Sequence, residues 1–304
     1  MQKKDFTWST NFNISFNKNR VESLGGITEQ TRNSGWQGSD GVDDYLVKVG
    51  QPVGLMYGFV TEGFYKPEDF SGYNATNNTY TLKPGIAFNG VYGQPRPGDL
   101  KWKDLNGDGT ITPDGDRTVV GNANPKFTGG WNNQFSYRNF DFSVFVNFVV
   151  GNDIYNANKI EWTDGAFPNL NTLDVIKNRF TFINDKGDRI TDLVELSKMN
   201  QNAQIWSPVR VQRWWLHSWA VEDGSYLRIN NITLGYTLPK SVTSKVKISN
   251  FRIYTTVNNL HTFTNYSGYD PDVTARRTDP LTPGVDFAAY PRARTWVFGL
   301  NVTF

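Results

Sequence analysis

Arg294-Thr-Trp-Val-Phe-Gly-Leu-Asn-Val-Thr-Phe304 closes the sequence, and its reading decides the fold. Trp296, Phe298, Leu300, Val302 and Phe304 fall on every second place, while Thr295, Gly299, Asn301 and Thr303 fill the alternate places, with Val297 the one apolar intruder. Successive side chains of a strand point to opposite faces, so this is a strand with one apolar and one polar face. A row that ends on an aromatic residue calls for a paired neighbour, not an open edge. Strands of about ten residues with this division are the unit of transmembrane barrels. A half-buried strand of a soluble sandwich has the same pattern, and how often the pattern recurs decides between them.

It recurs along the whole chain. Residues 6–17 place Phe6, Trp8, Thr10, Phe12, Ile14 and Phe16 on one face and Thr7, Ser9, Asn11, Asn13, Ser15 and Asn17 on the other. Residues 126–137 repeat it through Phe127, Gly129, Trp131, Phe135 and Tyr137, with Asn133 breaking the apolar face. After a tight turn at Arg138-Asn139, the hairpin returns through Phe140, Phe142, Val144, Val146, Phe148 and Val150. From Tyr226 to Leu238 the apolar residues change phase between Ile229 and Ile232, which predicts a β-bulge at Asn230 or Asn231. Phe251, Ile253, Thr255 and Val257 supply the next outward face.

The segments between these strands differ in kind. Residues 19–125, 152–222 and 262–293 are long, rich in Gly, Pro, Asn and Asp, and weakly periodic; residues 138–139 and 239–249 are short. Within the long segments, Tyr45 to Tyr65 reads as short strands or a packed cap and Thr172 to Phe180 as a short helix. Short turns at one end and long loops at the other is the anatomy of an outer-membrane barrel. We therefore expect an all-β fold, the C-terminal antiparallel strands of a large transmembrane β-barrel with long extracellular loops. About six strands are too few to enclose its lumen, and the first strand begins almost at once, so residues 1–304 read as one partial domain of a longer protein.

Composition excludes several classes of function. The 304 residues hold no cysteine, which removes thiolate zinc sites, disulfide scaffolds and cysteine nucleophiles. Two histidines, His217 and His261, are too few for a His-rich metal cluster, and 31 basic against 29 acidic residues without a basic block leave no footprint for nucleic acid. No stretch is long and apolar enough for a membrane helix, a signal that barrel strands do not give anyway. Gly-x-Ser-x-Gly is absent and Gly107-Asp-Gly109 is followed by Thr112 where a dinucleotide loop needs Gly, so an enzyme is not expected. Asn231-Ile-Thr233 and Asn301-Val-Thr303 lie inside strands and are glycosylation triplets by accident of composition.

The chain resembles the TonB-dependent outer-membrane transporters of the SusC/RagA type. The resemblance rests on residues 4–21, on Val49-Gly-Gln-Pro-Val-Gly54 with Tyr57-Gly58-Phe59, and on Pro97 to Gly109. It continues through Val120-Gly-Asn122 with Asn124 to Phe127, Glu222 to Tyr236, Asn258-Asn-Leu260, Gly268-Tyr-Asp-Pro271, Tyr290-Pro-Arg292 and the last strand. It implies a barrel of about 22 strands around a plug, import of glycans or peptides, a SusD-like surface lipoprotein as partner, and energy from the TonB complex through an N-terminal part not in this chain. It also implies outer-membrane lipid around the barrel, insertion by the barrel assembly machinery with Phe304 as its signal, and a Bacteroidetes-like Gram-negative cell. The competing reading is a secreted, calcium-stabilised β-rich glycan-binding module.

Two groups of residues carry candidate chemistry. Asp104-Leu-Asn106-Gly-Asp108-Gly-Thr110-Ile-Thr112 follows the first nine positions of a calcium loop, whose oxygen ligands suit a hard Ca²⁺ ion. Position 12 is Gly115, so Asp116, or else Asp114, must supply the missing acid. The same residues also make a turn that needs no ion. Trp162, Trp206, Trp214, Trp215 and Trp219 of the second long segment, with Tyr269 and Tyr290 of the third, are candidates to contact substrate or the lipoprotein lid, because aromatic rings dominate recognition surfaces. Packing between loops and a membrane-interface belt are the other uses of such rings.

Overall fold

The computed structural model describes residues 1–36, 41–165, 169–210, 215–274 and 279–304. Six long strands carry the architecture: β1 (Phe6–Ser15), β2 (Phe127–Tyr137), β3 (Phe140–Val150), β4 (Tyr226–Thr237), β5 (Asn250–Thr264) and β6 (Thr295–Thr303). They pair antiparallel in chain order, and a two-residue strand, Gln2–Lys3, extends the β1 edge into a sheet of seven.

The register carries the alternation from strand to strand. One cross-sheet row runs Trp8, Phe135, Phe142, Leu234, Thr255, Phe298. The row beside it, on the opposite face, runs Ser9, Gln134, Ser143, Thr233, Thr256, Val297. Phe12, Phe140, Leu234, Phe298 and Leu300 are exposed on the apolar face, and no second sheet covers them among the described residues. Asn133 does not spoil that face, because its side-chain carbonyl accepts the Trp8 indole N–H at 3.1 Å. Trp131 donates likewise to Thr10 Oγ1 at 2.8 Å, so the polar atoms of two adjacent strands satisfy one another.

The bulge lies where the phase change puts it. Phe145 pairs with Asn231 and Val146 with Ile229, leaving Asn230 unmatched on β3, and its amide donates to Asn147 Oδ1 at 2.8 Å. β5 runs seven residues beyond Val257, further than its outward face suggests. Asn259, with φ of 52°, interrupts the alternation there. The expected helix near 172–180 is a 3-10 turn, Asp174–Asn178, and the helices Ala157–Glu161 (α1) and Leu193–Met199 (α2) are too short to show a 3.6-residue period.

The two short connections meet one end of the sheet and the three long segments leave the other. These long segments fold together into a cap that holds the buried core. One cluster joins Trp36, Tyr45 and Met56 to Tyr155, Leu216 and Val285, so all three segments contribute to it. A second stacks Phe59 on Trp102 at 3.8 Å with Ile111, Ile176, Ile205 and Trp206 around them. Gly58 makes the seam between these clusters possible: a Cβ there would stand 2.2 Å from the Leu216 carbonyl oxygen, which accepts the Phe59 N–H at 2.9 Å.

His217 is buried at the same seam with Nδ1 3.0 Å from Thr61 Oγ1. Burial first, and the Lys159 charge second, lower its pKa from 6.5 to about 3. The unfolded chain takes up this proton as the pH falls below 6.5 and the folded cap does not until about 3, so the cap loses stability across that window on acidification. Asp44 acts with the opposite sign. Burial raises it from 3.8 to about 7, and its contribution fades as the pH rises between those values. Comparing His217→Gln with the parent in the full-length protein isolates the imidazole, and the variant is expected to show less acid sensitivity of cap proteolysis between pH 6.5 and 4.

Candidate functional site

A buried ion-pair network ties the third long segment to the polar face of the sheet. Arg228 of β4 is 1% exposed, shares its row with Asn147 and Thr262, and donates from Nε to Thr262 Oγ1 at 3.0 Å. Its guanidinium donates to Asp270, lies 3.6 Å from Asp272, and stacks over the Tyr226 ring at 4.9 Å. Arg292 closes the network by pairing with Asp272 and standing 3.6 Å from Asp270, while its carbonyl accepts from the Asn259 amide at 2.9 Å. β4, β5 and two points of the third long segment thus meet here, and Arg228 and Asp270 are the two charges that would be costly to bury alone.

The same segment helps to wall a cavity of about 180 Å³ beside α1. Trp162 comes from the end of α1, and Tyr269 from the residue before Asp270. The floor is held by Glu222, which accepts from Ser267 N–H at 2.9 Å, Ser267 Oγ at 2.8 Å and Asn156 Nδ2 at 3.0 Å, with Lys159 Nζ at 3.4 Å. Burial acts to raise the Glu222 carboxyl, but the Ser267 hydrogen bonds and the Lys159 charge outweigh it and hold the pKa below the usual range. Gly268 is needed here because a Cβ would strike the Tyr266 ring at 2.4 Å.

Of the aromatic candidates, then, Trp162 and Tyr269 come together. Trp206 is 2% exposed within the cap core, with the half-buried Trp215 and Trp219 packed against the same cluster, so its ring takes part in packing between loops. Trp215 lies edge-on to Phe59 at 5.5 Å and Trp219 lies under Lys159 at 4.1 Å. Tyr290 is 92% exposed and does not line the cavity, Phe304 is 89% exposed beyond β6, and Trp214 lies outside the described residues.

The Asp104 loop closes on its own backbone. Asp104 accepts from Gly107 and Gly109 at 2.7 and 2.8 Å, Asn106 from Asp108 at 2.9 Å, and Asp108 from Thr110 at 2.8 Å. Asp116 is buried and both its oxygens accept backbone N–H groups, from Leu105 and Thr112 at 2.7 Å each, while Thr112 Oγ1 accepts from Gly115 at 3.1 Å. Asp114 is exposed. Among the described residues no group of three or more His, Cys, Asp or Glu stands where it could hold a metal ion. The side-chain oxygens of the loop accept from its own backbone N–H groups, with Asp116 as the clasp of the turn.

Sequence reasoning did not single out Arg228, Asp270, Asp272 or Arg292 as a site, although they lie in or beside stretches that carry the resemblance. The available signal was an arginine on the polar row of a strand and the pair of acids in Gly268-Tyr-Asp-Pro-Asp272. Arg228→Leu leaves Asp270 buried with only the more distant Arg292, and is expected to cost about 3 kcal/mol. Faster proteolysis between residues 265 and 294 of the full-length protein, with the rest of the cap unaffected, is the expected readout.

No family model matches the chain. It is 32% identical over 307 residues to TonB-dependent receptor P3 of Formosa agariphila, covering 99% of the chain and 27% of that relative. With TonB-dependent receptor SusC of Bacteroides thetaiotaomicron the identity is 27% over 305 residues, covering 99% of the chain and 25% of the relative. Among solved structures, the RagAB peptide transporter matches the whole chain with a TM-score of 0.66 at 18% identity, over 28% of the matched chain, and the RagAB peptide importer in its open-open state matches at 0.63. The chain spans about a quarter of the length of the curated relatives it matches. By these likenesses and its sheet architecture, the chain is similar over its whole length to a stretch of TonB-dependent receptors, SusC among them, and has the fold of part of an antiparallel transporter barrel with the loops that rise from it.

Proposed function

We propose that this chain is the C-terminal part of the barrel of an outer-membrane nutrient importer, lacking the plug and the N-terminal strands. The apolar face of its sheet meets lipid, the polar face lines the lumen, the short turns face the periplasm and the cap stands outside the cell. The observation that carries this reading is the uncovered apolar face, continuous across strands of membrane-spanning length. A secreted sandwich would need a second sheet over Phe12, Phe298 and Leu300. Import of glycans or peptides, not catalysis, is supported by relatives named as TonB-dependent receptors and by the likeness to RagAB. A SusD-like surface lipoprotein above the cap, the TonB complex acting through the absent part, and recognition of Phe304 by the assembly machinery of a Bacteroidetes-like cell belong to the same proposal.

Spin labels in the full-length protein test the register. Labels at Val144 and Phe298 are expected to be relaxed by lipid-dissolved oxygen, and labels at Ser143 and Asn301 by a water-soluble reagent; the opposite pattern would sink the reading. Val146→Lys near the bilayer midplane should cost about 2 to 4 kcal/mol, and Ser143→Lys far less.

Calcium at Asp104, Asn106, Asp108 and the Thr110 carbonyl is a further part of the proposal, supported by donor spacing alone, with affinity on the order of 10⁻⁴ to 10⁻³ M. Protease protection of residues 95–120 by calcium, reversed by chelator and lost in Asp108→Ala, is the expected result. Equal cleavage under both conditions would leave only the hydrogen-bonded turn.

A further inference from the structure

The cavity beside α1 contains groups that the packing of the cap does not use. Trp162 is half-buried and Tyr269 is 69% exposed, and neither the indole N–H nor the phenol O–H has a hydrogen-bond partner among the described residues. The remaining polar lining is already engaged. Asn158 donates to Asn156 Oδ1 at 3.2 Å and accepts from the Ala288 N–H at 2.7 Å, while Asn156 donates to Glu222. Lys159 is neutralised by Glu222. The cavity therefore offers ring faces, two free ring-borne polar groups and little net charge.

These properties select among ligands. A space of 180 Å³ is that of about six liquid waters, enough for one ring of a longer chain. One way to hold an extended peptide segment is through its backbone amides at a free strand edge. The strand that leads into the cavity, Asp153–Asn156, has no free edge, being paired on one side with Val221–Asp223 and on the other with Val285–Asp286. A compact ring with C–H faces and hydroxyls around its rim, and no charge, matches what remains. Tyr269 is also held in place, because the next residue is bound to Arg228 on the polar face of the sheet.

We propose that Trp162 and Tyr269 form a subsite for one ring of a neutral glycan, stacked against their faces and hydrogen-bonded to the indole N–H and the phenol O–H. The proposal rests on the import reading, which places this cavity above the lumen. Calorimetric titration of the purified full-length receptor with maltohexaose, laminarihexaose, xylohexaose and mannohexaose tests it, with hexa-alanine as the peptide probe. At least one hexasaccharide is expected to bind, with Trp162→Ala and Tyr269→Ala each weakening it roughly tenfold and Tyr290→Ala leaving it unchanged. Trp162→Phe keeps a ring and removes the N–H, so it should weaken binding less than Trp162→Ala. Failure of all four sugars to bind, indifference to both ring variants, or binding of hexa-alanine that the same variants abolish would overturn the subsite. The spin-label pattern measured on the same samples separates the two failures. Lipid exposure at Val144 with no sugar binding overturns the subsite alone, whereas a reversed pattern overturns the barrel reading and the subsite with it.

Discussion

Backbone hydrogen bonding across the sheet is the constraint on which everything else depends. A strand whose side chains face hydrocarbon has no water to satisfy its N–H and C=O groups, so each must pair with a neighbouring strand. Once β2 and β3 are joined by a two-residue turn, register follows, and a slip of one residue would turn Phe140, Phe142 and Phe148 toward the polar side. The departures from regular pairing are each compensated. Asn230 leaves the ladder but donates to Asn147, and the indoles of Trp8 and Trp131 find acceptors on the adjacent strand.

The sheet buries almost nothing on its own behalf; the hydrophobic core lies in the cap. This division has a physical reason. Strands that meet lipid on one face gain nothing by covering it, whereas long segments in water must bury their aromatic residues against one another to remain ordered. The high aromatic content thus serves two solvents: Phe142 and Phe298 belong to the apolar face, while Phe59, Trp102 and Trp206 belong to a packed interior.

The link between sheet and cap is electrostatic. Arg228 and Asp270 are both buried, and breaking such a pair by removing one partner leaves an uncompensated charge behind. The pair sets the start of the third long segment against the polar row of the sheet, and Ser267 is held to Glu222 on the other side. Tyr269 sits between these two anchors, on the wall of the cavity that Trp162 also lines.

Local sequence was enough to determine the strands, their faces and the bulge, because period-two alternation is a property of neighbouring residues and needs no knowledge of the rest of the chain. Asn230 and Asn231 betrayed the bulge through a phase change alone. The Asp104 loop stood out as a motif for the same reason, since its hydrogen bonds lie within one short stretch. What the long segments do was decided by tertiary structure. Nothing local distinguishes Trp206, which vanishes into the cap core, from Trp162, which opens onto a cavity. Burial depends on partners such as Phe59 and Ile205 that come from different segments. Likewise Arg228 became a buried latch only when Asp270 and Arg292 were carried to it, because ion pairing depends on distance in space and leaves no periodic trace in the sequence.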